Sequence, residues 1–109
     1  MDIQVFCLDN SEFAEFNAVS RGWRGDIYVK ISANYYKLEI YDMVRLQQDF
    51  ELELEEYGVF SPKLNLIIVE EVNNVKIKES IQHLADSRYF DEIKSLEPET
   101  LAGLGLLSL

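Results

Sequence analysis

A single cysteine and a single histidine among 109 residues leave no disulfide framework and no pair of histidine or cysteine ligands at metal spacing. No apolar run approaches the roughly 18 residues of a membrane-spanning helix. The start, MDIQVF, lacks the basic residues and long apolar stretch of a signal peptide. The expected setting is therefore a reducing cytoplasm. Basic residues are also scarce, with 10 Lys and Arg against 20 Asp and Glu and a formal charge of -10. A field of that sign repels phosphate backbones and anionic membranes and speeds encounter with basic partners, which argues against nucleic-acid binding. The glycines form neither a phosphate loop nor a dinucleotide fingerprint, and no serine sits in a nucleophile elbow. The sequence thus argues against an enzyme and gives no reason to expect a cofactor.

Against these absences stand 48% hydrophobic residues, including 6 Phe, 6 Tyr and 1 Trp, which exclude a disordered chain. A chain of this length buries one core, and residues 1–109 read as one domain with an apolar tail over 99–109. IQVFCL (3–8) is rich in branched and aromatic residues and predicts a strand, with Cys7 as a buried small hydrophobe. In residues 11–25, Phe13, Phe16 and Val19 keep three-residue spacing before Gly22 and Gly25 interrupt it, predicting a short helix and then a loop. Ile27, Val29 and Ile31 alternate, as do Tyr36, Leu38 and Ile40, with Ser32-Ala33-Asn34 between them. That is a hairpin. LNLIIVEE (64–71) is nearly unbroken in its hydrophobicity and predicts a central strand covered on both faces. Asn73-Asn74 offers a cap for a further helix whose buried stripe is Ile77, Ile81, Leu84 and Ala85. RYF (88–90) adds one more turn, packing Phe90 and Ile93. The tail ETLAGLGLLSL either docks on the body or meets a partner, including a second copy of the chain. Together these predict an α+β fold: one mixed sheet of about four strands with two main helices packed on one face.

The stretch DFELELEEYG (49–58) alternates like a strand but is bracketed like a helix. Asp42 is a good N-cap and Gly58 a good C-terminal cap. Between them Met43, Leu46, Phe50, Leu54 and Tyr57 recur at helical steps, within an arc of roughly 80°. Asp49, Glu53 and Glu56 then flank that stripe on one side and Glu51 and Glu55 on the other, with Leu52 pointing outward between acids. Residues 42–56 hold six acids against Arg45 alone, and the like-charge pairs Glu51/Glu55 and Asp49/Glu53 oppose the helix by a few tenths of a kcal/mol each. A benefit elsewhere would explain their presence: a carboxylate surface around an outward leucine suits a basic protein partner. Trp23, between Arg21 and Arg24 in SRGWRGD, either belongs to a mobile contact loop or folds back on the core while the arginines pair with local acids. The candidate partner-binding residues are Asp49, Leu52, Glu53, Glu55, Glu56 and Trp23.

A second reading comes from topology. If the strands ending at Tyr41 and near Val69 run parallel, Asp42, Glu70 and Glu71 share one edge of the sheet. Carboxylates gathered there could hold a hard cation or act as an acid and base pair, as in a small enzyme or metal-dependent factor. A third possibility is a structural oligomer joined through the tail. His83 lies mid-helix with no second ligand at metal spacing, and reads as structural.

The stretch YYKLEIYDMVRLQQDFELELEEYGVFSPKLNLIIVEEV, followed by IKESIQHL and RYF, resembles small immunity proteins of bacterial polymorphic-toxin systems, which neutralise a cognate secreted toxin. The resemblance covers roughly Tyr35 to Phe90, and its more distinctive parts are Asp42-x-x-Arg45-Leu46 and Leu66-Ile67-Ile68-Val69-Glu70-Glu71. It implies a non-catalytic inhibitor that covers a basic toxin surface. The ending LAGLGLLSL departs from the tryptophan-bearing acidic ending of that family, so no toxin-contacting residue carries over.

Overall fold

The computed structural model describes residues 2–109. In chain order the elements are β1 (Ile3–Cys7), α1 (Glu12–Arg21), β2 (Trp23–Ile31), β3 (Asn34–Tyr41), α2 (Met43–Tyr57), β4 (Leu66–Ile68), α3 (Asn74–Asp86), a 3-10 turn (Tyr89–Asp91), α4 (Pro98–Leu101) and β5 (Leu107–Ser108). The strands form one five-stranded sheet in the order β4-β3-β2-β1-β5. It is mixed, because β3 and β4 run parallel while the other neighbours are antiparallel. The fold is thus α+β. No helix among the described residues is long and apolar enough to cross a membrane.

Period-two alternation puts Ile27 and Val29 of β2 and Tyr36, Leu38 and Ile40 of β3 on one face of the sheet, beside Cys7 of β1. Ile77, Ile81 and Ala85 of α3 and Ala18 of α1 close over them. Asn73 caps α3 by accepting from the Lys76 N–H at 2.8 Å, and Phe90 meets Tyr36 with ring centroids 5.0 Å apart. Two helices do share a face, but they are α1 and α3. The helix predicted over 42–57 is the correction: no α2 residue is buried or joins that core.

Further readings need correcting. LNLIIVEE is not central: β4 is a three-residue edge strand and β2 occupies the middle of the sheet. The apolar signal of that run belongs partly to Val69, 6% exposed, which with Val72 is buried in the connection to α3, while Ile68 is exposed. In α1, Phe13 and Phe16 are also exposed, and the buried contact is Ala18. The short Ala18 lets the helix approach the sheet closely, where a phenylalanine would hold it off. The tail docks on its own molecule. Leu109 N–H donates to the Val5 carbonyl at 3.0 Å, and β5 pairs Ser108 with Phe6 and Leu107 with Cys7.

No loop follows α1. Gly22, at φ 69°, takes the left-handed conformation that ends the helix and donates to the carbonyls of Ala18 and Val19. The chain then enters β2 at once, which buries Arg24 to 4% exposure. Its Nε donates to Asp26 Oδ1 at 2.8 Å, Nη1 to Asn74 Oδ1 at 3.0 Å and Nη2 to the Asp9 carbonyl at 2.6 Å. The second Asp26 oxygen accepts the Leu8 and Asp9 N–H groups. One guanidinium therefore joins the end of β1, the β2 strand and the start of α3.

Breaking a buried pair leaves its partner uncompensated, so Arg24→Ala is expected to destabilise the fold by about 3 kcal/mol in urea unfolding. Arg24→Lys should recover little of this, because an ammonium cannot reproduce the three-way fork. A loss under about 1 kcal/mol in Arg24→Ala would remove the fork as a structural link.

Stability also carries a sign at high pH. Burial pushes the Cys7 thiol and the hydroxyls of Tyr28, Tyr41 and Tyr89 above their ordinary values, with Asp26 and Glu39 adding to Tyr28 and Asp49 and Glu39 to Tyr41. Groups held protonated in this way stabilise the fold below their ordinary pKa and cease to do so as pH rises through the folded values. The urea midpoint should hold up to a pH of about 8 and fall by a pH of about 10, since the unfolded thiol ionises near about 8.5. A midpoint that rises over this range would contradict the assignment.

Candidate functional site

Asp42 starts α2 by accepting the Arg45 N–H at 2.8 Å, and Gly58, at φ 73°, ends it with its N–H on the Leu54 carbonyl. Between these caps the helix lies over the face of the sheet opposite the core. It lies beside Trp23 and Tyr41, which pair across β2 and β3, and beside Leu66 of β4, which pairs with Glu39. A hollow of about 310 Å³ opens between α2, this face and residues 60–63. Trp23, Asp49, Leu52 and Glu53 all line it, so four of the six predicted residues converge. Glu55 and Glu56 do not line it and stand exposed on α2.

The helix is turned differently from the expectation. Arg45, Leu46, Asp49 and Glu53 are its least exposed residues, whereas Phe50 is 44% and Leu54 39% exposed. At about 100° per residue the polar flank faces the body, and the apolar stripe lies about a quarter turn away from it. Glu53 is thus half-buried beside the hollow rather than fully in solvent. Leu52 is 63% exposed, as expected. Of the stripe, Leu46 is half-buried toward the body, and Phe50 meets Phe60 of the loop that follows the helix in edge contact at 5.5 Å between ring centroids. Met43, Val44, Tyr57 and Val59 extend the exposed apolar surface.

Arg45 explains the rotation. Its Nε donates to Asp49 Oδ1 at 3.0 Å, its Nη1 to the Arg21 carbonyl at 3.2 Å, and its guanidinium lies 5.6 Å from the Trp23 ring centre. Lys63 Nζ approaches the same ring at 5.2 Å. Trp23 therefore belongs to a strand and carries two cations, rather than riding a mobile loop. Asp49 is neutralised inside the molecule and serves to aim Arg45, which corrects its reading as a free docking charge. Glu51 accepts from Gln47 at 3.2 Å. Glu53, Glu55 and Glu56 have no salt-bridge partner among the described residues, so the acidity available to a partner is theirs and that of Glu51.

The sequence missed Lys63 and Glu39, whose places near Trp23 follow from a loop path and a strand register. Glu39 Oε1 lies 3.7 Å from Lys37 Nζ and 3.5 Å from Lys63 Nζ. The alternative carboxylate edge has separate occupations. Asp42 caps α2, Glu70 faces Lys76 at 3.8 Å, and Glu71 is exposed. Among the described residues no three His, Cys, Asp or Glu side chains gather as a metal site.

The chain matches no family model, no curated protein and no solved structure.

An apolar stripe that faces solvent contributes little to folding. Phe50→Ala and Leu54→Ala are each expected to cost about 1 kcal/mol or less in urea unfolding, against about 2–5 kcal/mol for a fully buried site such as Ile77→Ala. Equal losses at Leu54 and Ile77 would show that the stripe is part of the core.

Proposed function

We propose that this protein is a non-catalytic binding domain, an immunity-type inhibitor that covers a basic surface of a bacterial toxin domain in the cytoplasm. The observation that carries this reading is the rotation of α2. The helix leaves Phe50, Leu54, Met43 and Tyr57 exposed and lines them with Glu51, Glu53, Glu55 and Glu56. Apolar anchors within a ring of carboxylates suit a partner whose own apolar contacts are ringed by lysine or arginine. The field of a chain at -10 speeds encounter with that partner. A second copy of the chain is a poor occupant, since two such helices face to face would bring like charges together.

The partner to test is the product of the adjacent reading frame, taken as a purified C-terminal module. The expected result is a 1:1 complex whose association slows steeply with salt, together with rescue of growth when both proteins are expressed in a bacterial host. Glu53, Glu55 and Glu56 changed together to Lys should weaken the complex by about a hundredfold or more and abolish rescue, while the fold survives because these residues have no internal partner. A complex indifferent to the charge reversal and to Phe50→Ala and Leu54→Ala would place the interface elsewhere, and a toxic module that is neither bound nor neutralised would overturn the reading.

A further inference from the structure

The β2–β3 pairing slips between Arg24 and Ile27, a bulge that sets Gly25 opposite Glu39. A larger residue would have to displace the Trp23 ring or the Glu39 carboxylate. A Cβ at position 25 would lie 2.6 Å from Trp23 Cζ2 and 2.7 Å from Glu39 Oε2. Two side chains are thus drawn together over one point of bare backbone. Beside them lies a cavity of about 470 Å³, walled by Ala14, Asn17 and Ala18 of α1 and by Arg21, Trp23, Lys37 and Glu39. That size is within the range of about 300–1,000 Å³ typical of small-molecule sites.

Two buried polar atoms at this place meet no hydrogen-bond partner in the protein, Trp23 Nε1 and Glu39 Oε2. Glu39 is 8% exposed, and both of its lysines lie against the other oxygen, Oε1. Buried groups of this kind cost free energy unless satisfied, and they are of opposite sense: the indole N–H can only donate and the carboxylate oxygen can only accept. Two neighbouring charged groups are already engaged. Arg24 is bound to Asp26, Asn74 and the Asp9 carbonyl, and Asp26 accepts two backbone N–H groups. Arg21, at the rim, forms no salt bridge among the described residues.

We propose that this cavity binds a free α-amino acid, with the ligand ammonium donating to Glu39 Oε2 and its carboxylate accepting from Trp23 Nε1 and pairing with Arg21. One small molecule then supplies both a donor and an acceptor, the two senses that the orphaned atoms lack, and adds an anionic group for the unpaired guanidinium. A zwitterion has no net charge, so the field of a chain at -10 does not exclude it as it would a simple carboxylate. The site lies on the α1 side of Trp23, apart from the exposed stripe of α2, and the assignment does not depend on the inhibitor reading.

Trp23 is the sole tryptophan, so its emission reports on the site directly. The whole chain is titrated with each of the twenty proteinogenic L-amino acids to about 10 mM, with acetate and methylammonium as single-group controls. The expected result is a saturable change in emission for at least one amino acid with half-saturation near or below about 1 mM, and none for either control. Arg21→Ala, an exposed position, and Glu39→Gln should each weaken that binding by about tenfold or more. Should Glu39→Gln fail to fold, Arg21→Ala carries the test by itself. No response to any of the twenty, a response reproduced by the controls, or a response unchanged in Arg21→Ala overturns the proposal.

Discussion

A buried guanidinium is costly to bury and stabilising only when fully engaged, and Arg24 meets that condition by reaching three separate parts of the chain at once. Asp9 belongs to the turn after β1, Asp26 to the bulged part of β2, and Asn74 to the first residue of α3. Because α1 runs between the turn and β2, the same contact fixes where that helix starts and ends. The Asn74 N–H also donates to the Glu15 carboxylate of α1 at 2.7 Å. The helical layer over the core is thus held to the sheet at its polar end by hydrogen bonds and along its length by Ile77, Ile81, Ala85 and Ala18.

The opposite face follows from the same bulge. Trp23 pairs with Tyr41 just before the register slips, and its ring attracts Arg45 from α2 and Lys63 from the loop beyond. Once Arg45 is placed there, the polar flank of α2 must face the body, and the apolar stripe is carried round toward solvent. The helix is therefore oriented by a cation over an aromatic ring and a pair with Asp49, rather than by burial of its hydrophobic side. Such an arrangement gives up folding energy that burial would have provided and leaves a surface of exposed leucine, phenylalanine and tyrosine.

The sheet has short edges at both ends, three residues in β4 and two in β5. Short edge strands limit unwanted pairing with other chains. The apolar tail, a hazard if free, is used to cover the β1 edge, with Leu109 against the core.

The sequence by itself determined the elements: the hairpin of β2 and β3, the caps at Asp42, Gly58 and Asn73, the stripe of α3, and the turn that buries Phe90. These follow from local spacing and from hydrogen bonds a few residues apart, which composition reveals. It also marked Trp23, Asp49, Leu52 and Glu53, which prove to be neighbours, though for reasons of charge rather than of proximity. What tertiary structure alone decided is the placement of those elements: β4 at an edge, the face that α2 turns inward, the burial of Arg24, and the meeting of Trp23 with Glu39 over Gly25. Each depends on contacts between residues far apart in the chain, and a hydrophobic pattern shows which side of a helix is apolar without showing whether another, stronger contact turns that side away.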